Sequence, residues 1–142
     1  MLSSKFRSAI FGGLALALAG CGGLGVTGKP ETARTLNEFR AAHGRAPLRI
    51  DPQLTAMAQA HAADMARRDT LDHAGFTERR GPAGARAENV AYGCADTACT
   101  IQMWINSPNH RSNMLRSDVT RYGLASAKSA SGKTYWALDV GE

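Results

Sequence analysis

Residues 122–140 read YGLASAKSASGKTYWALDV and contain two alternating stretches separated by a turn that includes Gly132. A period of two residues is typical of strands, and a short polar segment with glycine commonly joins the strands of a hairpin. We therefore predict a β-hairpin near the end of the chain. Trp136 and Leu138 share one face of its second strand and Tyr135 lies on the other. The pattern leaves open which of these faces is core and which lines a cleft.

Helices are predicted upstream of this hairpin, where apolar residues recur every three to four positions. Their starts are marked by a capping side chain, by proline in the first turn, or by both. The predicted starts are Pro30, Asp51-Pro52, Asp96 and Ser107-Pro108, and Gly44 is expected to end the first helix. The side chains predicted to face the core are Leu36, Phe39, Leu54, Met57, Ala58, His61, Met65, Ile101, Trp104 and Ile105. We interpret His61 as a core histidine with a local hydrogen bond.

The segment between the second and third helices is predicted to be irregular at first and extended at its end. Residues 72–87 contain three glycines and a proline and are expected to form a loop, whereas Glu88–Tyr92 is expected to be a short strand.

A chain of 142 residues favours one domain, because a second would lack the residues for its own core. Helices followed by strands predict an α+β fold.

The first 20 residues have the features of a secretory signal. Lys5 and Arg7 precede an apolar stretch from Ala9 to Ala19, which is too short to span a membrane as a helix. Residues 18–21 (Leu-Ala-Gly-Cys) resemble a bacterial lipobox, in which Cys21 becomes the lipidated first residue of the mature protein. We therefore predict a signal peptide at 1–20, a lipidated Cys and flexible tether at 21–30, and the folded domain at 31–142. A plain signal peptide with an incidental Cys is the alternative.

The signal peptide and the lipobox-like residues predict a protein of the cell envelope that is tethered to a membrane and faces an extracytoplasmic space. In some enteric bacteria, an Asp directly after the lipidated Cys retains a lipoprotein in the inner membrane. Gly22 stands at that position here, which favours the outer membrane without deciding it. The net charge of +5 comes from dispersed Lys and Arg residues, without the basic clusters and aromatic platforms of a nucleic-acid surface. We therefore expect a membrane partner and no nucleic acid.

Cys94 and Cys99 are the two cysteines that remain after Cys21. In an oxidising compartment, a lone pair within reach of each other is most simply a disulfide. A metal site would need two further ligands, and the loop between the two cysteines offers only Asp96. The sequence favours the disulfide and leaves the metal site as the alternative.

Four features stand in a fixed order along the chain. They are Asp72-His73, Ala87-Glu88-Asn89-Val90-Ala91, Trp104-Ile105-Asn106-Ser107-Pro108-Asn109-His110-Arg111, and the closing strand with Tyr135-Trp136. Together they resemble the CAP superfamily of cysteine-rich secretory, antigen-five and pathogenesis-related proteins, and more closely its compact bacterial members, over roughly residues 32–141. The resemblance implies an α-β-α sandwich, with a small antiparallel sheet between helical layers and a cleft on one side.

In this family the cleft holds two His and two Glu, and the His pair can bind a divalent metal, often zinc. His73 matches the first His, Glu88 the first Glu and His110 the second His. Ser107 stands where the longer eukaryotic members have the second Glu, and Ala87 stands where a Gly commonly precedes the Glu-Asn pair. The tetrad is therefore incomplete. The resemblance implies His73, Glu88 and His110 as ligand-binding residues, His73 and His110 as metal ligands, and zinc as the candidate cofactor.

The chemistry of this trio is consistent with several functions. Two neutral imidazoles suit zinc, and Glu88 could complete the site or hold the His73 ring in one tautomer, although two protein ligands alone make a weak site. Asn89 is expected to fix a turn between loop and strand. The family is known more for ligand binding, including lipids and sterols in some members, than for a shared reaction.

We therefore predict a ligand-binding module whose ligand is a lipid or cell-wall material. A metal-dependent hydrolase with Glu88 as base is the alternative, although no His-Glu-x-x-His or Gly-x-Ser-x-Gly motif is present. A third hypothesis gives the His and Glu residues a purely structural role or a role in binding a protein partner.

Overall fold

The computed structural model describes residues 31–142. Its elements, in chain order, are helix α1 (Leu36–Ala42), strand β1 (Arg49–Ile50), helix α2 (Pro52–Arg68), a π-helical turn (Phe76–Arg80), strand β2 (Ala85–Tyr92), helices α3 (Thr97–Ile105) and α4 (Pro108–Met114), and strands β3 (Arg121–Lys128) and β4 (Thr134–Gly141). The predicted α+β class is confirmed. The predictions for residues 1–30, which include the signal peptide, Cys21 and the tether, lie outside the described residues.

The four strands form one open sheet in the order β1-β3-β4-β2. The predicted hairpin is present, because β3 and β4 pair antiparallel with Leu124 opposite Leu138. Strand β2 pairs antiparallel with the other side of β4. The sheet is mixed rather than wholly antiparallel, since the two residues of β1 pair parallel with β3. Strand β4 is therefore central, and its side chains are covered on both faces.

Helices cover the two faces of this sheet. Trp136 and Leu138 pack in one core cluster with residues of α1, α3 and α4, whereas Tyr135 and Ala137 pack in another with residues of α2. Both faces of β4 are thus core, which answers the question that the alternating pattern left open. Trp104 is fully buried, as predicted, and its indole nitrogen donates to the carbonyl of Val90.

Helix α1 begins later than predicted. The sequence suggested Pro30 as its start, but the helix begins at Leu36 with Thr35 as the capping residue. The Thr35 hydroxyl accepts a hydrogen bond from the Glu38 amide, and the Glu38 carboxylate accepts one from the amide of Arg34. The Thr35 bond satisfies one of the amides that have no carbonyl partner in the first turn of a helix, and it therefore stabilises the start at Leu36. Gly44 has a positive φ of 65° and follows the end of the helix, as predicted.

The other predicted helix starts are correct. The carboxylate of Asp51 accepts from the Leu54 amide at the start of α2, and that of Asp96 accepts from the Cys99 amide at the start of α3. Ser107 is the capping residue of α4, but its side chain makes no capping hydrogen bond. The Cys94–Cys99 disulfide is also present, with a Cα–Cα distance of 5.6 Å.

The segment predicted as a loop over residues 72–87 contains more regular structure than expected. A π-helical turn occupies Phe76–Arg80, and β2 begins at Ala85 rather than at Glu88. The glycines favoured an irregular loop in the sequence, but Gly75 instead begins the turn in the left-handed region, with a φ of 77°. None of the helices within residues 31–142 is long and apolar enough to cross a membrane.

Helix α2 lies unusually close to the sheet at Gly123 of β3. A Cβ atom at Gly123 would lie 2.1 Å from backbone atoms of Leu54 and Thr55. We expect Gly123→Ala to destabilise the domain by about 1–3 kcal/mol, because α2 would have to move away from the sheet. Urea denaturation measures the change. Ser126→Ala, on the same strand, is the control and should stay within about 0.5 kcal/mol of the wild type; equal stability of both variants would contradict the close approach.

Candidate functional site

Glu88 is the centre of the candidate site. It lies in the middle of β2 and is 5% exposed. One carboxylate oxygen accepts from Nε of Arg80 at 2.5 Å, and the other contacts Nδ1 of His73 at 2.8 Å. The His73 side chain is 54% exposed. A buried ion pair therefore holds one nitrogen of an imidazole whose ring is accessible from outside.

The π-helical turn places Arg80 in this position. Arg80 is the last residue of the turn and is 5% exposed, whereas its neighbour Arg79 lies at the surface. Besides Glu88, the Arg80 guanidinium donates to the carbonyl of Ala74 through Nη1 at 2.9 Å. This second bond ties the turn to the segment that follows His73. Arg80 thus fixes both the carboxylate of Glu88 and the backbone next to the imidazole.

His61 reaches the same cluster from α2. It is 4% exposed, as expected for a core histidine, and its Nε2 donates to the carbonyl of Asp72 at 2.8 Å. The same nitrogen is 3.8 Å from Glu88. Burial lowers the pKa of His61, which favours the neutral ring. His61 therefore connects α2 to the residue that precedes His73.

Asp72 is held in turn by Arg68. The guanidinium makes two hydrogen bonds to the Asp72 carboxylate, at 2.7 and 3.1 Å. These bonds are the main reason that the pKa of Asp72 is lowered to about 2. The backbone on the N-terminal side of His73 is thus fixed by both His61 and Arg68.

Asp139, like Arg80, belongs to this cluster but was not predicted from the sequence. It lies on β4 directly opposite Glu88 and is fully buried. Neither of its carboxylate oxygens has a hydrogen-bond partner among residues 31–142. Burial and, after it, the charge of Glu88 raise the pKa of Asp139 to about 7. The available signal was an acidic residue within the apolar run YWALDV, at a position where β4 is covered on both faces.

His110 lies on α4 and is partly buried. Its carbonyl accepts from the Asn89 amide at 3.0 Å, and Asn89 also accepts from the amide of Asn113 at 3.0 Å. Asn89 therefore joins β2 to α4, whereas the sequence suggested that it fixes a turn between loop and strand. Burial, and after it the charge of His73, lower the pKa of His110.

His73 and His110 line two hollows that follow each other along β2 and α4. The hollow beside His73, which we call the His73 hollow, has a volume of about 340 Å³ and is lined by His73, Phe76, Arg86, Ala87, Glu88, Asn113 and Arg116. The hollow beside His110 has a volume of about 450 Å³. Leu71, Tyr92 and Met103 line it, and all three are large apolar residues with exposed surface. The predicted trio thus lies along one side of the molecule.

The residues of this site do not make a complete metal centre. Within residues 31–142, no group of three or more His, Cys, Asp or Glu side chains is placed to hold a metal ion. Glu88 is engaged by Arg80 and His73, and Ser107, which lines the hollow beside His110, is a poor replacement for a carboxylate. His73 and His110 are the two remaining candidate ligands, and stable zinc sites usually have three or four protein ligands.

Solved structures share this architecture. An outer surface protein of Borrelia burgdorferi superposes with a TM-score of 0.62 at 18% identity, over 75% of this chain and 86% of the other. An extracellular protein containing an SCP domain from Bacillus anthracis superposes with a TM-score of 0.59 at 28% identity, over 75% of this chain and 38% of the other. The first similarity shows the fold alone, because its sequence identity is low.

Sequence comparison points to the same relationship. The membrane protein YlbC of Bacillus subtilis is 31% identical over 97 residues, which are 62% of this chain and 28% of YlbC. The chain thus spans less than a third of the length of that relative. The model of the cysteine-rich secretory protein family, CAP, matches residues 33–140. That range covers more than half of the chain and includes His73, Glu88 and His110. The chain therefore belongs to the CAP family of cysteine-rich secretory proteins.

Proposed function

We propose that this CAP domain is an extracytoplasmic ligand-binding module in which His73, Glu88 and His110 form the binding cleft. The accessible imidazole of His73, held by the buried Glu88–Arg80 pair, is the observation that carries the proposal. Burying an ion pair is costly and rarely adds stability compared with apolar side chains. Buried charge clusters of this kind occur preferentially at functional sites, where they orient a reactive or binding group.

The proposed location is the cell envelope, with the domain tethered to a membrane through a lipid on Cys21. The lipobox-like residues 18–21 support the anchor. A disulfide between Cys94 and Cys99 is typical of proteins in oxidising compartments. The similar proteins include one described as extracellular and one described as an outer surface protein. A lipid or cell-wall component is the proposed ligand, and the apolar lining of the hollow beside His110 supports an apolar moiety.

The contacts that His73 and His110 make favour a binding role over a catalytic one. Within residues 31–142, neither imidazole is hydrogen-bonded to a Ser, Thr or Cys side chain that could act as a nucleophile. The alternative of a metal-dependent hydrolase needs Glu88 as a base. Its carboxylate already accepts from Arg80 and contacts His73, so no specific observation favours that role.

The proposal is tested by observing the imidazole signals of the full chain by NMR while a panel of small anionic, neutral and cationic compounds is added. We expect at least one class to perturb His73 or His110, and binding to fall by more than tenfold in H73A/H110A. His43→Ala is the matched control, because His43 is an exposed histidine beside Glu31 and outside the cleft. Binding of equal strength in the double variant would contradict the cleft assignment.

Zinc at His73 and His110 stays a prediction, and a calorimetric titration tests it. With two imidazoles as protein ligands, we expect binding weaker than micromolar, lost in H73A/H110A and retained in H43A. Micromolar or tighter binding that disappears in the double variant would show that water or another group completes a real site. Equal heats in all three proteins would remove zinc from the cleft.

A further inference from the structure

We propose that the His73 hollow binds an anionic group, either a carboxylate or a phosphate. This inference rests on the proposed function, since it names the chemical class of ligand for one part of the same cleft. Besides His73, two charged side chains that no sequence motif singled out, Arg86 and Arg116, line the hollow. Both side chains are partly exposed to solvent, so a ligand in the hollow can reach them.

The charges that line the hollow favour an anion. Glu88 is its single acidic lining residue among residues 31–142, and that carboxylate is already engaged by Arg80 and by His73. Arg86 and Arg116 add two positive charges next to the imidazole. A ligand that enters from solvent therefore meets two guanidinium groups before it reaches a buried and compensated carboxylate.

Hydrogen-bond donors remain available on both arginines. Arg116 uses Nε and Nη2 to contact Asp118, at 2.9 and 2.5 Å, and Arg86 uses Nη2 to contact Glu142 at 2.6 Å. Nη1 of each guanidinium has no partner among residues 31–142. The side chains are 52% exposed at Arg86 and 35% exposed at Arg116. Planar guanidinium groups with free donors suit the oxygens of carboxylates and phosphates.

Asp118 and Glu142 set the strength of the site. Neither lines the hollow, but each pairs with one of its arginines at the surface. Exposed ion pairs of this kind contribute about 0–1 kcal/mol, so an incoming anion can compete with them. We therefore expect binding to be modest in strength and to become tighter when either acidic side chain loses its charge.

The rest of the lining indicates what accompanies the anionic group. Phe76 and Ala87 supply an apolar wall in the same hollow. An anion attached to an aromatic or aliphatic group would therefore be bound better than a small inorganic ion. The same two arginines disfavour a divalent cation at His73, because like charges repel.

Benzoate and phenyl phosphate are suitable probes, with benzamide as the neutral analogue of the same shape. Each compound is titrated into the full chain at constant ionic strength, and binding is followed by NMR through the His73 signals. We expect benzoate or phenyl phosphate to bind at least tenfold more tightly than benzamide. The two anions separate carboxylate from phosphate recognition.

R86Q/R116Q should weaken anion binding at least tenfold, and Asp118→Asn should strengthen it several-fold. Arg67→Gln, on the outer side of α2 and paired with Asp64, is the matched control and should leave binding unchanged.

The outcomes separate this inference from the proposed function. Benzamide binding as tightly as both anions, or R86Q/R116Q leaving the affinity for the tighter anion unchanged, would overturn the anion assignment while the cleft itself stands. If no compound of any charge perturbs His73 or His110, the proposed function fails and the inference fails with it. Folding of every variant is checked from its NMR spectrum, and we expect native spectra because Arg86 is exposed and Arg116 is partly exposed.

Discussion

Arg80→Ala is expected to lower the free energy of unfolding by about 3–5 kcal/mol, which is the usual cost of removing one partner of a buried ion pair. The substitution would leave the carboxylates of Glu88 and Asp139 buried next to each other without the guanidinium that faces them. It would also remove the bond to the carbonyl of Ala74. Urea denaturation near neutral pH measures the loss.

Arg79→Ala is the matched control, since Arg79 precedes Arg80 in the same π-helical turn but is exposed. A surface substitution of this kind usually changes stability by less than about 0.5 kcal/mol. Similar losses in both variants would mean that the turn, rather than the ion pair, is responsible. A loss below about 1 kcal/mol for Arg80→Ala would contradict the central role of the pair.

Asp139→Asn is expected to change how stability depends on pH. The pKa of Asp139 is raised from 3.8 to about 7, chiefly by burial and then by Glu88. The folded protein therefore binds this proton more tightly than the unfolded chain does. The resulting stability is fully present below pH 3.8 and is lost as the pH rises towards 7. Each unit of pKa shift corresponds to about 1.4 kcal/mol, so the total is at most about 4 kcal/mol.

The groups that face Asp139 decide what the variant does. Glu88 lies opposite it on β2, Arg80 approaches from the π-helical turn, and His61 approaches the Glu88 carboxylate from α2. Asparagine has nearly the same shape, cannot ionise, and offers an amide donor to Glu88. We therefore expect Asp139→Asn to match the wild type near pH 4 and to exceed it by several kcal/mol at pH 8.

Urea denaturation at a series of pH values measures this difference for each protein. Asp64→Asn is a suitable control, because Asp64 is partly exposed on α2 and its pKa is lowered by hydrogen bonds from Arg68 and Arg67. The Asp64→Asn control should keep the pH dependence that Asp139 contributes. It should lose some stability at neutral pH, because the ion pairs of Asp64 with Arg68 and Arg67 are removed. A wild type and an Asp139→Asn variant with parallel pH profiles would show that folding does not raise the pKa of Asp139.

Much of the fold could be predicted because its signals are local. A capping carboxylate such as Asp51 or Asp96 acts on amides three residues away, and the alternation of β3 and β4 reflects neighbours on the same strand. Predictions failed where a local signal had competitors. Pro30 is a credible helix start, but Thr35 and Glu38 stabilise a later one. The glycines of residues 72–87 favoured an irregular loop, whereas the structure has a π-helical turn there whose buried residue is Arg80.

The sequence by itself determined the α+β class, the hairpin and the family, and it favoured the Cys94–Cys99 disulfide, because each depends on residue type and spacing along the chain. The resemblance to the CAP family also suggested His73, Glu88 and His110 as a set. Only the tertiary structure decided what surrounds Glu88. Arg80, His61 and Asp139 come from a turn, a helix and a distant strand, and they meet because α2 packs against the face of the sheet that carries Glu88. The protonation and the partners of a buried charge depend on that packing, which no local pattern in the sequence specifies.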